Sequence, residues 1–333
     1  MREKRPLVSV VVPTFNAGPG FERLLAGISE QRGNFDVEVI VVDSGSTDGT
    51  VERARRHGAT VHSIPKEEFN HGGSRNLGVS LARGEYVALT VQDAVPLDGN
   101  WLAAMVRSFE EEERVAGVYG RQVPRAESGI LSRVVVNSIA TAGSVRREQY
   151  AGSPELYRAL TPAQRRDLAA FDNVSSGVRR SVWEEIPFEP TNFGEDIRWG
   201  RAVVEAGYKV VYEPESAVIH SHDRNFIYDL RRNYINQVVV AELFGLVQVP
   251  NIARLLVAIL ASSLHVFSLL RKEGGGKTAP RDGARFALIA LRHAVVSQAG
   301  VYLGSKVGPA DGRLARSFPR LRRRLDGFLS RGV

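Results

Sequence analysis

The sequence predicts an α/β protein whose mostly parallel sheet is flanked by helices, followed by a helical, basic C-terminal region. From Val8 onward, short runs of Val, Ile and Leu alternate with helical segments. The runs are continuous rather than interrupted by polar residues, as in strands covered on both faces. Residues 271–333 carry 14 Lys and Arg against 4 Asp and Glu, whereas the whole chain of 333 residues has a net charge of +7. The chain is therefore a near-neutral body with a basic tail.

The first 120 residues predict alternating strands and helices. Strands are expected at 8–12, 37–42, 59–64 and 86–91, and helices at 21–31, 50–56 and 72–82. A turn at 13–18 follows the first strand, because Pro, Asn and Gly are ordinary turn residues. This βαβ order implies a parallel sheet whose ligands bind at the carboxyl ends of the strands.

The remainder is predicted in three parts. Residues 120–185 are irregular and are expected over the edge of the sheet; a helix at 197–206 and strands at 209–212 and 217–220 follow. From Asn225 the chain reads as helical, with an apolar stretch at 255–270, a glycine linker at 273–276 and an amphipathic stretch at 285–302. We therefore predict a first domain at 1–224, with halves 1–120 and 121–224, and a second at 225–333.

Composition excludes several classes of site. The chain has no cysteine, so it has no disulfide framework, thiolate zinc site or cysteine nucleophile. That absence fits a reducing compartment. The charged start and the short apolar run at 7–13 do not predict a signal peptide.

Acidic residues stand where ligands are expected. Asp43 ends a strand of four β-branched residues, Asp93 follows the strand at 86–91, and Glu195 and Asp196 open a helix. These positions predict a single enzymatic site that uses carboxylates. Asp48 is assigned to capping the helix that begins near residue 50.

Six motifs occur in a fixed order: 10–16 (VVVPTFN), 42–50 (VDSGSTDGT), 69–76 (FNHGGSRN), 92–94 (QDA), 194–196 (GED) and 220–222 (HSH). Together they resemble the inverting glycosyltransferases of family 2, which have the GT-A fold, and within them the bacterial rhamnosyltransferase-like group. The resemblance covers about residues 7–245.

The resemblance implies a set of residues that bind a nucleotide-sugar donor. It comprises Pro13, Thr14, Asn16, Asp43, His71, Gly72, Arg75, Asn76, Gln92 and Asp93. Asp43 is expected to accept a hydrogen bond from the nucleobase or ribose. The helix start at His71 and Gly72 is expected to present backbone amides to the diphosphate, with Arg75 as a nearby cation. The alternatives are an ordinary turn at 13–18 and a helix start without a ligand.

The resemblance also implies a divalent cation, Mg²⁺ or Mn²⁺. Members of the family usually carry Asp-x-Asp here, but Val91 stands in the first position. We therefore expect Asp93 and His220, with His222 in reserve, to hold the cation with diphosphate oxygens and water.

Inverting transfer needs a carboxylate that takes the proton of the acceptor hydroxyl. The resemblance assigns Asp196 as this base and Glu195 as a supporting group. The alternative is that both acids only complement the helix dipole. Residues 120–185 are expected to shape the acceptor site, with Asp172 and Asn173 as candidate contacts.

The expected reaction moves L-rhamnose from dTDP-rhamnose onto a glycan or polyprenyl-linked acceptor in cell-envelope polysaccharide synthesis. A UDP-hexose donor and a non-catalytic sugar-nucleotide or glycan-binding protein are the alternatives. An oxidoreductase is disfavoured, because residues 13–18 do not form a G-x-G-x-x-G motif.

The basic tail is predicted to associate with a membrane or to form a homo-oligomer. The stretch 255–270 spans ~24 Å as a helix, short of a bilayer core of ~30 Å, which favours an interfacial or core-packed helix. Anionic lipid would contact Arg313, Arg316, Arg320, Arg322, Arg323 and Arg324. We therefore expect a cytoplasmic protein, peripheral on the inner face of the cell membrane. Nucleic acid is not expected, since no binding module accompanies the charge.

Overall fold

The computed structural model describes residues 6–275, 280–309 and 316–330. The chain divides into two compact units. The first contains residues up to 125 and 137–220, and the second contains 126–136 and the chain from 221 onward. The segment 126–136, predicted to lie in the first domain, thus belongs to the second unit.

The first unit is built on one sheet. Within the described residues its strands are β1 Leu7–Thr14, β2 Asp36–Asp43, β3 Thr60–Ser63, β4 Tyr86–Thr90, β5 Val95–Pro96, β6 Val115–Val123, β7 Arg147–Gln149, β8 Ser175–Arg179 and β9 Lys209–Ile219. Their order is β3-β2-β1-β4-β8-β6-β9-β5, and β7 pairs with β9.

The predicted α/β class is confirmed. Strand β1 pairs in parallel with β2 and β4, β2 pairs in parallel with β3, and β6 pairs in parallel with β9. Strand β8 is antiparallel to both of its neighbours, β4 and β6. The two strands predicted at 209–212 and 217–220 form one strand, β9, whose register against β6 shifts between Gly120 and Arg121.

The helices of the first unit cover both faces of the sheet. They are α1 Phe21–Ser29, α2 Thr50–Arg56, α3 His71–Leu81, α4 Trp101–Glu110, α6 Pro154–Ala159, α7 Pro162–Leu168, α8 Arg180–Glu185 and α9 Glu195–Glu205. Val8, Val10 and Val12 of β1 pack in one hydrophobic cluster and Val11 packs in the other. Successive side chains of a strand point to opposite faces, so a continuous valine run is required here.

The segment 120–185 is more regular than predicted. Strands β6 and β8 lie inside the sheet rather than over its edge. Residues Ser175–Arg179 are all buried, although Ser175, Ser176 and Gly177 give the strand little apolar character. A single sequence offered no clear signal for this strand, and its place in the sheet is set by pairing with β4 and β6.

The second unit is helical. Among its described residues, the helices are α5 Ile130–Val136, α10 Phe226–Phe244, α11 Ile252–Glu273, α12 Pro280–Val307 and α13 Pro319–Leu329. Val266 and Leu270 of α11 are buried with Phe286 and Ala290 of α12 and Val134 of α5.

Helix α11 is longer than its apolar stretch suggested. It has 22 residues, and the Asn251 side chain caps it by accepting a hydrogen bond from the amide of Arg254. At ~1.5 Å per residue it spans ~33 Å, so length no longer argues against a spanning helix. By length and composition, Ile252–Glu273 and Asp282–Val307 could each cross a bilayer. Arg313 lies outside the described residues, as does part of the predicted glycine linker.

Candidate active site

The loop after β2 is organised by Asp43. This carboxylate is 2% exposed, and its Oδ1 accepts hydrogen bonds from Thr14 Oγ1 at 2.9 Å and Ser46 Oγ at 2.5 Å. Its Oδ2 accepts from the backbone amides of Gly45 and Ser46 at 3.1 and 2.9 Å. A carboxylate offers about four acceptor positions. All four are used here, so Asp43 shapes the loop after β2. Its predicted contact with a nucleobase or ribose stays a prediction.

Asn16 and Gln92 join the ends of three strands. Asn16 has a left-handed backbone (φ 45°), which asparagine tolerates, and its Oδ1 accepts from the amide of Thr47 at 2.9 Å. The Gln92 side chain forms two hydrogen bonds with the backbone of Phe15. Its Oε1 accepts from the Phe15 amide at 2.8 Å, and its Nε2 donates to the Phe15 carbonyl at 3.2 Å. The predicted residues at the ends of β1, β2 and β4 are thus brought together. Asp48 accepts from the amide of Thr50, the first residue of α2.

At the start of α3, the backbone amides of Gly72 and Gly73 have acceptors within the protein. The amide of Gly72 donates to the Thr191 carbonyl at 3.2 Å, and the amide of Gly73 donates to Asn70 Oδ1 at 2.6 Å. A Cβ on Gly72 would lie 1.9 Å from the carbonyl oxygen of Glu189. Gly72 is therefore required by backbone packing. The predicted binding of a diphosphate at this helix start stays a prediction.

Arg75 and Glu195 form a buried ion pair. Arg75 Nη1 lies 3.1 Å from Glu195 Oε1, and the two side chains are 4% and 7% exposed. Arg75 also donates to the His71 carbonyl at 3.1 Å, and Asn173 Nδ2 donates to Glu195 Oε1 at 3.1 Å. Burial acts to raise the pKa of Glu195, but Arg75, His71 and the Asn173 hydrogen bond outweigh it, so the pKa is lowered. Arg75 therefore neutralises Glu195, and its predicted place beside a diphosphate stays a prediction.

Asp196 stands next to this pair on the first turn of α9. Gly194 precedes the helix in a left-handed conformation (φ 74°), which glycine adopts without strain. Asp196 is half-buried, and its Oδ1 accepts from the amide of Ile197 at 2.7 Å. A negative side chain at a helix N-terminus is stabilised by the helix dipole. The two adjacent acids therefore differ: Glu195 is committed to Arg75, and Asp196 is the more accessible carboxylate.

Asn76 has a structural environment. Its Nδ2 donates to the Phe188 carbonyl at 2.7 Å, and its Oδ1 accepts from Trp183 Nε1 at 2.9 Å and the Phe188 amide at 3.0 Å. These contacts hold α3 against α8 and the segment that follows it. The Asn76 Nδ2 group has a second hydrogen, which the predicted contact with the donor would use.

Asp93 and His220 lie close together, as the metal prediction requires. Asp93 Oδ1 is 3.8 Å from His220 Nε2, and Asp93 Oδ2 is 3.0 Å from Arg125 Nη2. Val91 packs against the hydrophobic core, in keeping with its inability to bind a metal. His222, the reserve ligand, lies in the second unit. Its role stays a prediction.

Sequence reasoning missed Arg125 and Gln122. Arg125 also donates to the Asp93 carbonyl at 2.6 Å, and Gln122 contacts His220 Nδ1 at 3.1 Å. Both lie at or just beyond the end of β6, so their position at a carboxyl end was the available signal. Asp172 and Asn173 contact Gln122 and Glu195, and their candidate contact with an acceptor stays a prediction.

The sequence is similar to those of known proteins. The model of the family "Glycosyl transferase family 2" matches residues 9–180, just over half of the chain. The O-antigen chain rhamnosyltransferase RfbN of Salmonella typhimurium is 31% identical over 220 residues, covering 65% of this chain and 67% of that protein. The O-antigen chain rhamnosyltransferase WbaN of Salmonella anatum is 30% identical over 223 residues, covering 66% and 67%.

Solved structures share the fold. The mannosyltransferase PcManGT of Pyrobaculum calidifontis, in complex with GDP-Man and Mn²⁺, aligns with a TM-score of 0.56 and 22% identity, covering 91% of this chain and 87% of that one. S. aureus TarS 1–349 in complex with UDP-GlcNAc aligns with a TM-score of 0.52 and 17% identity, covering 89% and 90%. With the family match, the sheet and the ordered motifs in agreement, this chain is a glycosyltransferase of GT-A fold and belongs to glycosyl transferase family 2.

Proposed function

We propose that this enzyme transfers L-rhamnose from dTDP-rhamnose, with inversion, to a glycan or lipid-linked acceptor. The observation that carries the donor assignment is the 31% and 30% identity to two O-antigen chain rhamnosyltransferases, each over two thirds of their length. A UDP-hexose donor and a binding protein without activity are the competing functions.

The donor nucleotide would lie against the loops that Asp43 and Gln92 hold. Asp43 fixes the loop after β2, and Gln92 fixes Phe15 after β1. Pro13, Thr14 and Asn16 would then contact the nucleoside through loop backbone and the remaining polar groups. Preorganised polar groups lower the cost of ordering a ligand.

The residues around Asp93 fit a divalent cation. Two atoms that both lie ~2.0–2.2 Å from one ion are less than about 4.4 Å apart, and Asp93 Oδ1 and His220 Nε2 are 3.8 Å apart. One imidazole and one carboxylate suit Mn²⁺ or Mg²⁺ with additional oxygen ligands from diphosphate and water. When bound, the cation would neutralise charge on the departing nucleoside diphosphate. Arg125, which contacts the same carboxylate, adds positive charge at this position.

Asp196 would act as the base. It is the half-buried carboxylate, whereas Glu195 is held by Arg75 and Asn173. As the acceptor hydroxyl attacks the anomeric carbon, its proton passes to Asp196, and the bond from that carbon to the diphosphate oxygen breaks. Glu195 and Arg75 fix the first turn of α9, so that the base keeps one orientation.

A donor screen tests the assignment. We expect calorimetry with dTDP-rhamnose, UDP-glucose and GDP-mannose to show tight binding of dTDP-rhamnose alone, strengthened by Mn²⁺. Asp93→Asn should weaken that Mn²⁺-dependent binding at least tenfold, or about 1.4 kcal/mol. The control is Asp36→Asn, an exposed acid at the start of β2, which should bind as the wild type does.

The screen also separates the alternatives. Preference for UDP-glucose or GDP-mannose would keep the glycosyltransferase and discard the rhamnosyl donor. Absence of binding by a folded chain would favour a protein without transferase activity on these donors.

We further propose that the second unit attaches the enzyme to the surface of an anionic membrane. Helix α11 exposes an apolar stripe of Ile252, Leu256, Leu260 and Leu264, each 61–62% exposed and four residues apart. Such a stripe in water is costly and marks an interaction surface. Helix α13 combines exposed Phe318, Leu321 and Phe328 with exposed arginines Arg320, Arg323 and Arg324. An apolar face bordered by basic residues suits the membrane interface.

Charge removal on α13 tests this attachment. The full chain with Arg320→Gln, Arg323→Gln and Arg324→Gln should bind phosphatidylglycerol vesicles at least tenfold more weakly, since each basic residue near such a surface contributes about 1 kcal/mol. The matched control replaces exposed Arg55, Arg56 and Arg158 of the first unit by glutamine.

An equal loss in both triple variants would indicate only a general effect of net charge. Carbonate extraction of cell membranes addresses insertion: release of the chain supports surface attachment, and retention would favour spanning by α11 and α12.

A further inference from the structure

Four polar side chains of the first unit form a connected chain behind the predicted metal position. Asp172 Oδ2 lies 2.7 Å from Gln122 Nε2, Gln122 Oε1 lies 3.1 Å from His220 Nδ1, and His220 Nε2 lies 3.8 Å from Asp93 Oδ1. Gln122 and His220 are only 5% and 7% exposed. Buried polar groups in such a chain constrain one another, because each must keep a partner.

The chemistry of Asp172 fixes the orientation of the Gln122 amide. An ionised carboxylate only accepts hydrogen bonds, so the group of Gln122 that faces Asp172 must be the NH₂. Asp172 is itself held, because its Oδ1 accepts from the amide of Val174 at 2.9 Å. Gln122 Nε2 also lies 3.3 Å from Thr141 Oγ1. The amide oxygen of Gln122 is therefore turned toward His220.

The orientation of Gln122 in turn fixes the tautomer of His220. An amide oxygen accepts only, so His220 must place its proton on Nδ1. The lone pair of the neutral ring then lies on Nε2, the atom directed at Asp93. Histidines that bind metals commonly donate their other ring N–H to an oxygen, which sets the tautomer and ring orientation.

We propose that Gln122, oriented by Asp172, is a positioning residue that holds His220 as the Nδ1–H tautomer, ready to bind a divalent cation with Asp93. This inference rests on the metal site of the proposed function. Without Gln122, the Nε2–H form of His220 is free to form, and it would donate to Asp93 instead of binding the cation.

The test measures tautomer and metal affinity on the full chain. Two-dimensional NMR of the ¹⁵N-histidine-labelled protein, with His220 assigned by its loss in His220→Gln, should show Nδ1–H in the wild type and lose it in Gln122→Met. Titration with Mn²⁺ in the presence of dTDP, followed by electron paramagnetic resonance, should give an affinity about 10–100-fold weaker in Gln122→Met.

Two further variants separate positioning from simple damage to the core. Gln149→Met removes another buried glutamine of the same unit, which bonds Tyr119, Leu168 and Ala170, and should leave Mn²⁺ affinity unchanged. Gln122→Glu combined with Asp172→Asn reverses the polarity of one hydrogen bond while keeping an oxygen at His220, and should restore affinity over Gln122→Glu alone.

The outcomes are distinguishable. If the variants Asp93→Asn and His220→Gln bind Mn²⁺ as well as the wild type does, the metal site of the proposed function fails and this inference fails with it. The same conclusion follows if the wild type does not bind Mn²⁺. If those two changes abolish binding but Gln122→Met changes neither tautomer nor affinity, only the role of Gln122 is overturned. A wild-type His220 protonated on Nε2 would overturn it as well.

Discussion

Asp196→Asn is expected to lower kcat by about 10²–10⁴-fold, the usual contribution of a general base. The asparagine side chain has nearly the same shape and can still accept from the Ile197 amide, but it cannot take up the proton of the acceptor hydroxyl. We would measure release of dTDP from dTDP-rhamnose, with a membrane extract as the source of acceptor. Donor affinity should stay close to that of the wild type.

The matched control is Asp167→Asn on α7, whose carboxylate is 74% exposed and paired with Arg166 at 3.2 Å. It removes one negative charge from the same unit and should leave kcat unchanged. Equal kcat in Asp196→Asn and the wild type would contradict the assignment of Asp196 as the base. A loss confined to donor affinity would indicate that Asp196 binds the donor.

Breaking the Arg75–Glu195 pair should give the largest loss of stability. Glu195→Gln leaves the guanidinium of Arg75 buried without its counter-charge, and breaking a buried ion pair costs about 3–5 kcal/mol. The free energy of unfolding, measured in urea at pH 7, should fall by this amount. Glu184→Gln, which removes the exposed pair with Arg180 at 3.0 Å, should cost less than about 1 kcal/mol.

A double variant isolates the charge. Arg75→Met with Glu195→Leu removes both buried charges, and we expect it to recover much of the stability that Glu195→Gln loses. If the double variant is no more stable than the single one, the loss comes from packing or from the Asn173 hydrogen bond rather than from an unpaired charge.

The same ion pair predicts that the free energy of unfolding depends on pH in the acidic range. The folded pKa of Glu195 lies below its usual value of 4.5, so its contribution to stability is complete above that value and is lost as the pH falls through the lower folded pKa. Unfolding free energies of the wild type should therefore fall more steeply below about pH 4.5 than those of Glu195→Gln. Parallel curves would show that Glu195 is not the group responsible.

Local patterns predicted the elements whose signal is short-ranged. The valine runs at β1 and β2, the helix Thr50–Arg56 and the helix predicted at 197–206 agree with the structure to within a few residues. Helix α4 was not predicted, although seven of its ten residues are buried. Strand β8 was not predicted because its sequence has little apolar character and its position depends on pairing with β4 and β6.

The sequence predicted which residues lie together in the candidate site better than it predicted their contacts. Asp93 and His220 are separated by 127 positions in the sequence and lie 3.8 Å apart, and Asp43, Thr14 and Gln92 meet through loop hydrogen bonds. The contacts of Arg75 and Gly72 could not be predicted, because their partners, Glu195, Thr191 and Glu189, come from a segment more than a hundred residues away.

The sequence by itself determined the α/β class, the family, the order of the acidic motifs and the separation of a basic helical tail, since each depends on residue type and spacing along the chain. Only the tertiary structure decided which carboxylate is committed and which is accessible: Glu195 is paired with Arg75, and Asp196 beside it is half-buried. It also placed Gln122 behind His220. Hydrogen bonds and ion pairs act over about 3–4 Å in space, and no spacing rule connects residues whose distance is set by how β6, β9 and α9 pack.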